Sequence, residues 1–174
     1  MMYLNKKNLF LVISILLIFF FLTYNDIKSQ EINIIEGKAL VVDGDTIKIN
    51  GENIRFSGID APESYYKGKE QICLKGNEKV FCGKLSKDFL IQKINNQKVT
   101  CEIESKPDRY KRKLGECFIN NKSLSRILVK NGYAFDYPRY SKKKYAKDQE
   151  QARINKLGLW GMKFEFPWDF RKNN

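Results

Sequence analysis

Residues 41–63 read VVDGDTIKINGENIRFSGIDAPE, and this stretch decides the fold class. Ile47 and Ile49 alternate with polar residues, as do Ile54 and Phe56, so each run suits a strand with one face inward. Asn50-Gly51 separates the two runs, and this dipeptide readily supplies the left-handed backbone of a two-residue hairpin turn. Upstream, IIEGKALVV (34–42) adds a third strand.

Working outward, residues 60–79 show no period and read as an irregular excursion. A helix is expected from about Val80 to Ile94, with Phe81, Leu85 and Phe89 on one face. KVTCEIE (98–104) and KLGECFI (113–119) are expected strands, joined by the polar segment SKPDRYK. A short helix should begin near Ser123 and close at Gly132, and a longer one should span SKKKYAKDQEQARINKLG and close at Gly158. The order is three strands, helix, two strands, two helices. This predicts a mostly β fold, a five-stranded oligonucleotide-binding (OB) barrel with about three α-helices, in which closure removes exposed strand edges. One domain over residues 31–174 is expected, with no internal repeat.

The 174 residues carry 32 lysines and arginines against 20 acids, a net charge of +12. Only Lys6, Lys7, Lys28 and Asp26 fall in residues 1–30, so the basic excess belongs to the folded domain. A polyanion is the natural partner, with anionic lipid the alternative that charge alone leaves open. Histidine is absent, which excludes His-centred triads, imidazole bases and imidazole-dependent zinc sites. The chemistry must rest on carboxylates, arginines, lysines or a hard metal.

Residues 9–22, LFLVISILLIFFFL, follow Lys6 and Lys7 and precede a polar stretch, the layout of a secretory signal. Residues 1–30 are therefore expected to be a signal peptide, or else a retained anchor with membrane contact through residues 9–24. The domain is expected outside the cytoplasm: secreted or periplasmic if cleaved, otherwise held by one N-terminal transmembrane segment. An even cysteine count in such a chain favours disulfides. If residues 107–110 form the turn between two antiparallel strands, Cys101 and Cys117 face each other, which leaves Cys73 for Cys82. Free thiols and other pairings stay open at this point.

Paired strands through Asn50-Gly51 would bring Asp43 and Asp45 to the same end as Asp60 and Glu63, beside Arg55. Acids gathered in this way repel unless something positive sits among them. Calcium or magnesium fits, because both prefer oxygen ligands; turn capping and surface ion pairs are the alternatives. Arg55 projects to the face opposite Ile54 and Phe56, and its planar fork suits bidentate phosphate contact.

VVDGDTIKI, RFSGIDAPE, PDRYKRKLGECF, EQARINKLGLWG and FPWDFR together resemble the staphylococcal nuclease (thermonuclease) family, and FPWDFR and the four cysteines resemble its exported bacterial branch. The resemblance implies an OB barrel and calcium-dependent hydrolysis of single- and double-stranded DNA and of RNA without strong sequence specificity. It places metal ligands at Asp45, Asp60 and the Ala61 carbonyl, with Asp43 near the ion through water. Glu63 falls on the water-activating glutamate, and Arg55 and Arg112 on the two active-site arginines. Lys111 departs from the pattern, standing where the family has glycine; a positive φ there would strain it by about 1 kcal/mol and could shift Arg112. Arg109 is the fallback for Arg112. Tyr110, Lys111, Arg109, Tyr140, Lys142 and Lys143 are candidate nucleic-acid contacts. No protein partner is indicated. A non-catalytic nucleic-acid-binding OB domain and a basic envelope-associated structural protein are the rival readings.

Overall fold

The computed structural model describes Phe10, residues 12–18 and residues 33–174. The apolar N-terminal segment is thus described only in part; where described it is helical, and among the described residues no helix is long and apolar enough to cross a membrane. The chain divides into two compact units, Met1–Glu31 and Ile32–Asn174, and the second is described from Asn33.

The first barrel strand is interrupted at Ala39 into β1 (Asn33–Lys38) and β2 (Leu40–Asp43). β3 (Thr46–Ile49) and β4 (Glu52–Phe56) complete a meander, and β8 (Lys98–Ile103) and β9 (Lys113–Ile119) form a second hairpin. The strand path runs β1-β8-β9-β4-β3-β2. Its two ends are halves of one strand, so the sheet returns to where it started. Five strands close the barrel as expected, with β4 and β9 paired in parallel across the seam. Asn50 and Gly51 have φ of 51° and 87°, the left-handed pair that a tight hairpin between β3 and β4 needs.

Alternation does what the pattern requires. Ile47, Ile49, Ile54, Phe56, Val99, Cys101, Cys117 and Ile119 point inward, and Leu90 and Ile94 of α1 (Cys82–Ile94) join them with Leu124, Leu128 and Val129 of α2 (Leu124–Lys130). Each fully buried aliphatic or aromatic side chain contributes roughly 1.5–3 kcal/mol. Truncating Ile54, which is wholly buried mid-strand beside Arg55, would damage core and site together. Ser123 caps α2 by accepting a hydrogen bond from the Arg126 N–H at 3.0 Å.

A second cluster forms around Phe135 and Leu159, with Leu85, Trp160, Met162, Phe164, Phe166 and Trp168 packed on it. Both expected disulfides are present, Cys101 to Cys117 as register partners on β8 and β9, and Cys73 to Cys82 between a small hairpin and the start of α1.

Several elements differ from expectation. Residues 60–79 are not wholly irregular: β6 (Ile72–Lys75) and β7 (Glu78–Phe81) make a hairpin turned at Gly76, whose φ is 62°. The buried stripe of α1 is Cys82, Gly83, Ser86, Leu90 and Ile94, whereas Phe81 is exposed and Leu85 and Phe89 are only half-buried. The helix lies between two clusters, so Leu85 serves the second and Phe89 stacks on Tyr133 with ring centroids 4.1 Å apart. The long helix starts only at Ala146 as α4 (Ala146–Ile154), because Lys142 and Lys143 take left-handed φ of 53° and 68°. A single turn, α3 (Pro138–Ser141), precedes it, and α5 (Pro167–Asn173) ends the chain. The described domain therefore has five helices where about three were expected.

Candidate active site

The β3–β4 register sets the centre of the site. Thr46 lies opposite Arg55, and the Phe56 N–H donates to the Asp45 carbonyl at 2.9 Å, so Asp45 sits beside the arginine. Arg55 Nη1 donates to Asp45 Oδ1 at 2.7 Å, and Nη2 to Asp60 Oδ1 at 2.5 Å. The Ala61 N–H donates to Asp45 Oδ2 at 3.1 Å and the Thr46 hydroxyl to Oδ1 at 2.9 Å. Asp60 is fully buried on β5 (Ile59–Asp60), which pairs with β10 (Phe135–Asp136).

Glycines let the loops close on this centre. A Cβ on Gly44, between the two aspartates, would lie 2.8 Å from Ser86 Cβ on α1 and 2.9 Å from Ala61 Cβ. A Cβ on Gly83 would lie 2.0 Å from the Glu63 carbonyl oxygen, so the loop bearing Glu63 rests directly on the helix start. Gln71, also buried, accepts from the Glu63 N–H at 3.0 Å and donates to the Glu165 carbonyl at 2.7 Å. Asp43 accepts from the Ser64 hydroxyl at 2.6 Å and from the Gly44 N–H at 2.8 Å.

A residue that sequence reasoning passed over completes the cluster. Arg171, on α5, donates from Nη2 to Asp60 Oδ2 at 2.5 Å, from Nη1 to Asp60 Oδ1 at 3.1 Å, and from Nη1 to Glu63 Oε1. Its signal was the closing FPWDFR, which in the sequence served only as a mark of the family resemblance. Four acids are thus gathered around two guanidiniums. Burial raises Asp60, outweighing the lowering contributions of Arg171 and Arg55, and burial together with Asp45 raises Asp43. Burial pushes Glu63 up to about 7 despite the hydrogen bond and charge of Arg171, with Asp45 and Asp43 adding to the rise.

Arg112 lies apart from this cluster's hydrogen bonds. It is two residues before Leu114, the register partner of Arg55, so it stands just before the first residue of β9, the strand that runs parallel beside β4. Its Nε and Nη2 donate to Asp108 Oδ2 at 2.8 and 2.7 Å, and Asp108 Oδ1 accepts from the backbone of Tyr110 and Arg112, each at 2.9 Å. Burial would raise Asp108, but the backbone and side chain of Arg112 bring it below its ordinary value. Lys111 has φ of 63°, so the turn does require the left-handed conformation that glycine would take without strain.

Tyr110 is exposed, with Arg109 over its ring at 4.7 Å and Arg112 at 5.3 Å. Tyr140 is exposed and meets Tyr137 edge-on at 4.9 Å, while Tyr137 stacks on Trp168 at 5.1 Å. Lys142 and Lys143 are exposed on the turn that follows. Tyr140 also helps line an open cavity of about 340 Å³, together with Ser57, Gly58, Glu102, Glu116 and Tyr145.

With this geometry in view, residues 53–162 match the family model described as Staphylococcal nuclease homologue. The chain belongs to the staphylococcal nuclease family. Among its relatives, this family member is 33% identical over 119 residues to Staphylococcal-like nuclease CAN1 of Arabidopsis thaliana, covering 67% of this chain and 32% of that protein. It is 37% identical over 127 residues to Succinoglycan biosynthesis protein ExoI of Rhizobium meliloti (strain 1021), covering 71% of this chain and 63% of that protein. A third relative, Probable staphylococcal-like nuclease CAN2 of Oryza sativa subsp. japonica, is 30% identical over 67% of this chain and 28% of its own length. The chain spans about a third of the plant relatives. The matched family segment contains Arg55, Asp60, Glu63 and Arg112 of this nuclease-family chain; Asp43, Asp45 and Arg171 lie outside it.

Proposed function

We propose that this protein is an exported, calcium-dependent endonuclease that hydrolyses phosphodiester bonds of DNA and RNA and leaves 3′-phosphate ends. The observation that carries the reading is the Asp45–Arg55–Asp60 array built on the β3–β4 hairpin of the barrel, with Glu63 alongside. Family membership supports a nucleic-acid substrate, and the names of the plant relatives agree with it.

The donor set fits a hard divalent cation in kind. Asp45 and Asp60 offer carboxylate oxygens, the Ala61 carbonyl lies next in the chain, and no sulfur or imidazole competes among the described residues. The four acids exceed the two arginines by two charges, which a divalent ion offsets. At present both carboxylates are turned onto guanidiniums, and among the described residues no three acids stand at mutual metal-binding distance. Calcium held by Asp45, Asp60 and the Ala61 carbonyl, with Asp43 near it through water, would supply charge neutralisation at a phosphate oxygen.

The chain's own residues supply the rest. Buried Ile54 and Phe56 fix the strand that carries Arg55, and Asp45 and Asp60 hold its guanidinium in place, so its fork presents a preorganised phosphate contact. Glu63 is the base that takes a proton from the attacking water, and a carboxyl with a pKa near 7 suits that task at neutral pH. Arg112 approaches on the neighbouring strand and meets charge developing on the departing 5′ oxygen. Tyr110, Lys111, Arg109, Tyr140, Lys142 and Lys143 form an aromatic and basic margin that grips either nucleic acid without reading sequence. The apolar segment before the domain fits export, by cleavage or by anchoring.

The test is digestion of end-labelled single-stranded DNA and of RNA by the purified chain, with calcium and with excess chelator. Cleavage of both, dependent on calcium and yielding ends that block polymerase extension until treated with phosphatase, is the expected result. A folded, calcium-replete protein that binds DNA without cutting it would favour the binding-only alternative.

A further inference from the structure

Asp60 and Glu63 receive their guanidinium from a residue 111 and 108 positions downstream. The segment that delivers it is held at many points. Leu74 and Lys163 exchange backbone hydrogen bonds at 2.8 and 2.9 Å, Gln71 grips the Glu165 carbonyl, and Phe166 and Trp168 stack with centroids 4.6 Å apart. Phe170 is buried beside Tyr66, one residue before Arg171. The backbone of α5 is therefore fixed, while Arg171 itself reaches the acids by a long side chain from the last turn of the chain.

The two arginines are not equivalent. Arg55 spans Asp45 and Asp60 and takes one oxygen of each. Arg171 covers both oxygens of Asp60 and also one of Glu63. Arg55 and Arg171 together take three of the roughly four lone-pair sites of Asp60, so a cation ligated by Asp60 must share its oxygens with a guanidinium that repels it, and a working base at Glu63 needs the oxygen that the Arg171 guanidinium holds. Arg171 stems from α5, outside the barrel, so it can leave by rotating its side chain with no change to the barrel strands, whereas Arg55 stems from β4 itself.

We propose that Arg171 is a built-in counter-ion, which a divalent cation must displace from Asp60 and Glu63. Without the cation it keeps the acids together and holds Glu63 in place; with the cation bound, both carboxylates are released to their tasks. Arg171 is in this sense a positioning residue, and the inference rests on the calcium reading above.

Calorimetric titration of calcium into the metal-stripped chain tests it, comparing the parent with Arg171→Ala and Arg171→Gln. Removing the competing charge should tighten calcium binding at least tenfold in both variants, with melting curves confirming that each is folded. The glutamine variant keeps much of the volume, so it carries the test should the alanine variant fail to fold. Equal or weaker affinity in folded variants, with the parent binding calcium, overturns the counter-ion proposal and leaves the calcium reading standing. Binding seen only in the variants supports displacement in its strongest form. No binding in any of the three removes the calcium reading and the competition with it.

Discussion

Replacing Gln71 with leucine probes how the site is held. Gln71 is 1% exposed; its Oε1 accepts the Glu63 N–H at 3.0 Å and its Nε2 donates to the Glu165 carbonyl at 2.7 Å. Leucine has similar bulk and neither group, so one buried N–H and one carbonyl lose their partners. Each orphaned group costs roughly 1–3 kcal/mol, while removing the buried amide itself offsets a part. The expected loss is about 2–4 kcal/mol, a large fraction of the stability of a domain this size. Equilibrium urea unfolding followed by circular dichroism measures it directly. Because Gln71 joins the Glu63 loop to the segment that carries Arg171, turnover should also fall under conditions where the variant is fully folded, with KM nearly unchanged. A stability loss under about 0.5 kcal/mol, together with parental turnover, would refute the bridging role.

Other consequences are as direct. Arg55→Lys keeps the charge but cannot span Asp45 and Asp60, so turnover should drop on the order of several hundred-fold; a rate within about threefold of the parent would contradict bidentate contact. Lys111→Gly relieves a φ of 63° and should raise stability by up to about 1 kcal/mol, less the extra chain entropy of glycine, as read from denaturation midpoints. In chelator, Glu63 titrates near 7 in the folded state and near 4.5 unfolded, so between these values the folded state holds the extra proton and stability falls as pH rises. The full window is worth at most on the order of 3 kcal/mol. Unfolding measured at several pH values should show a shallower decline in Glu63→Gln, and an identical slope in both proteins would contradict the raised pKa.

What could be read from the sequence follows from how local each feature is. The meeting of Asp45 and Arg55 follows from the β3–β4 register, which alternation and Asn50-Gly51 specify within a few residues, and Asp60 follows shortly after β4 in the chain. Both disulfide pairings were legible for the same reason, since hairpins place their partners. The strain at Lys111 was also visible, because it stands where the family has glycine. Arg171 was not legible in its role: its place depends on aromatic packing around Phe135 and on the Leu74–Lys163 bridge, contacts between distant parts of the chain. The start of the long helix was misplaced because lysine is a good helix former, and only tertiary packing puts Lys142 and Lys143 into left-handed turns. The stripe on α1 was misread because that helix serves two clusters at once.

The central claim is that Glu63 activates water beside the Asp45–Arg55–Asp60 array. Glu63→Gln tests it most directly, through turnover on single-stranded DNA in saturating calcium and affinity for a cleavage-resistant phosphorothioate oligonucleotide. The account predicts at least about a 100-fold loss of turnover with affinity little changed. Turnover equal to the parent in the folded variant would contradict it.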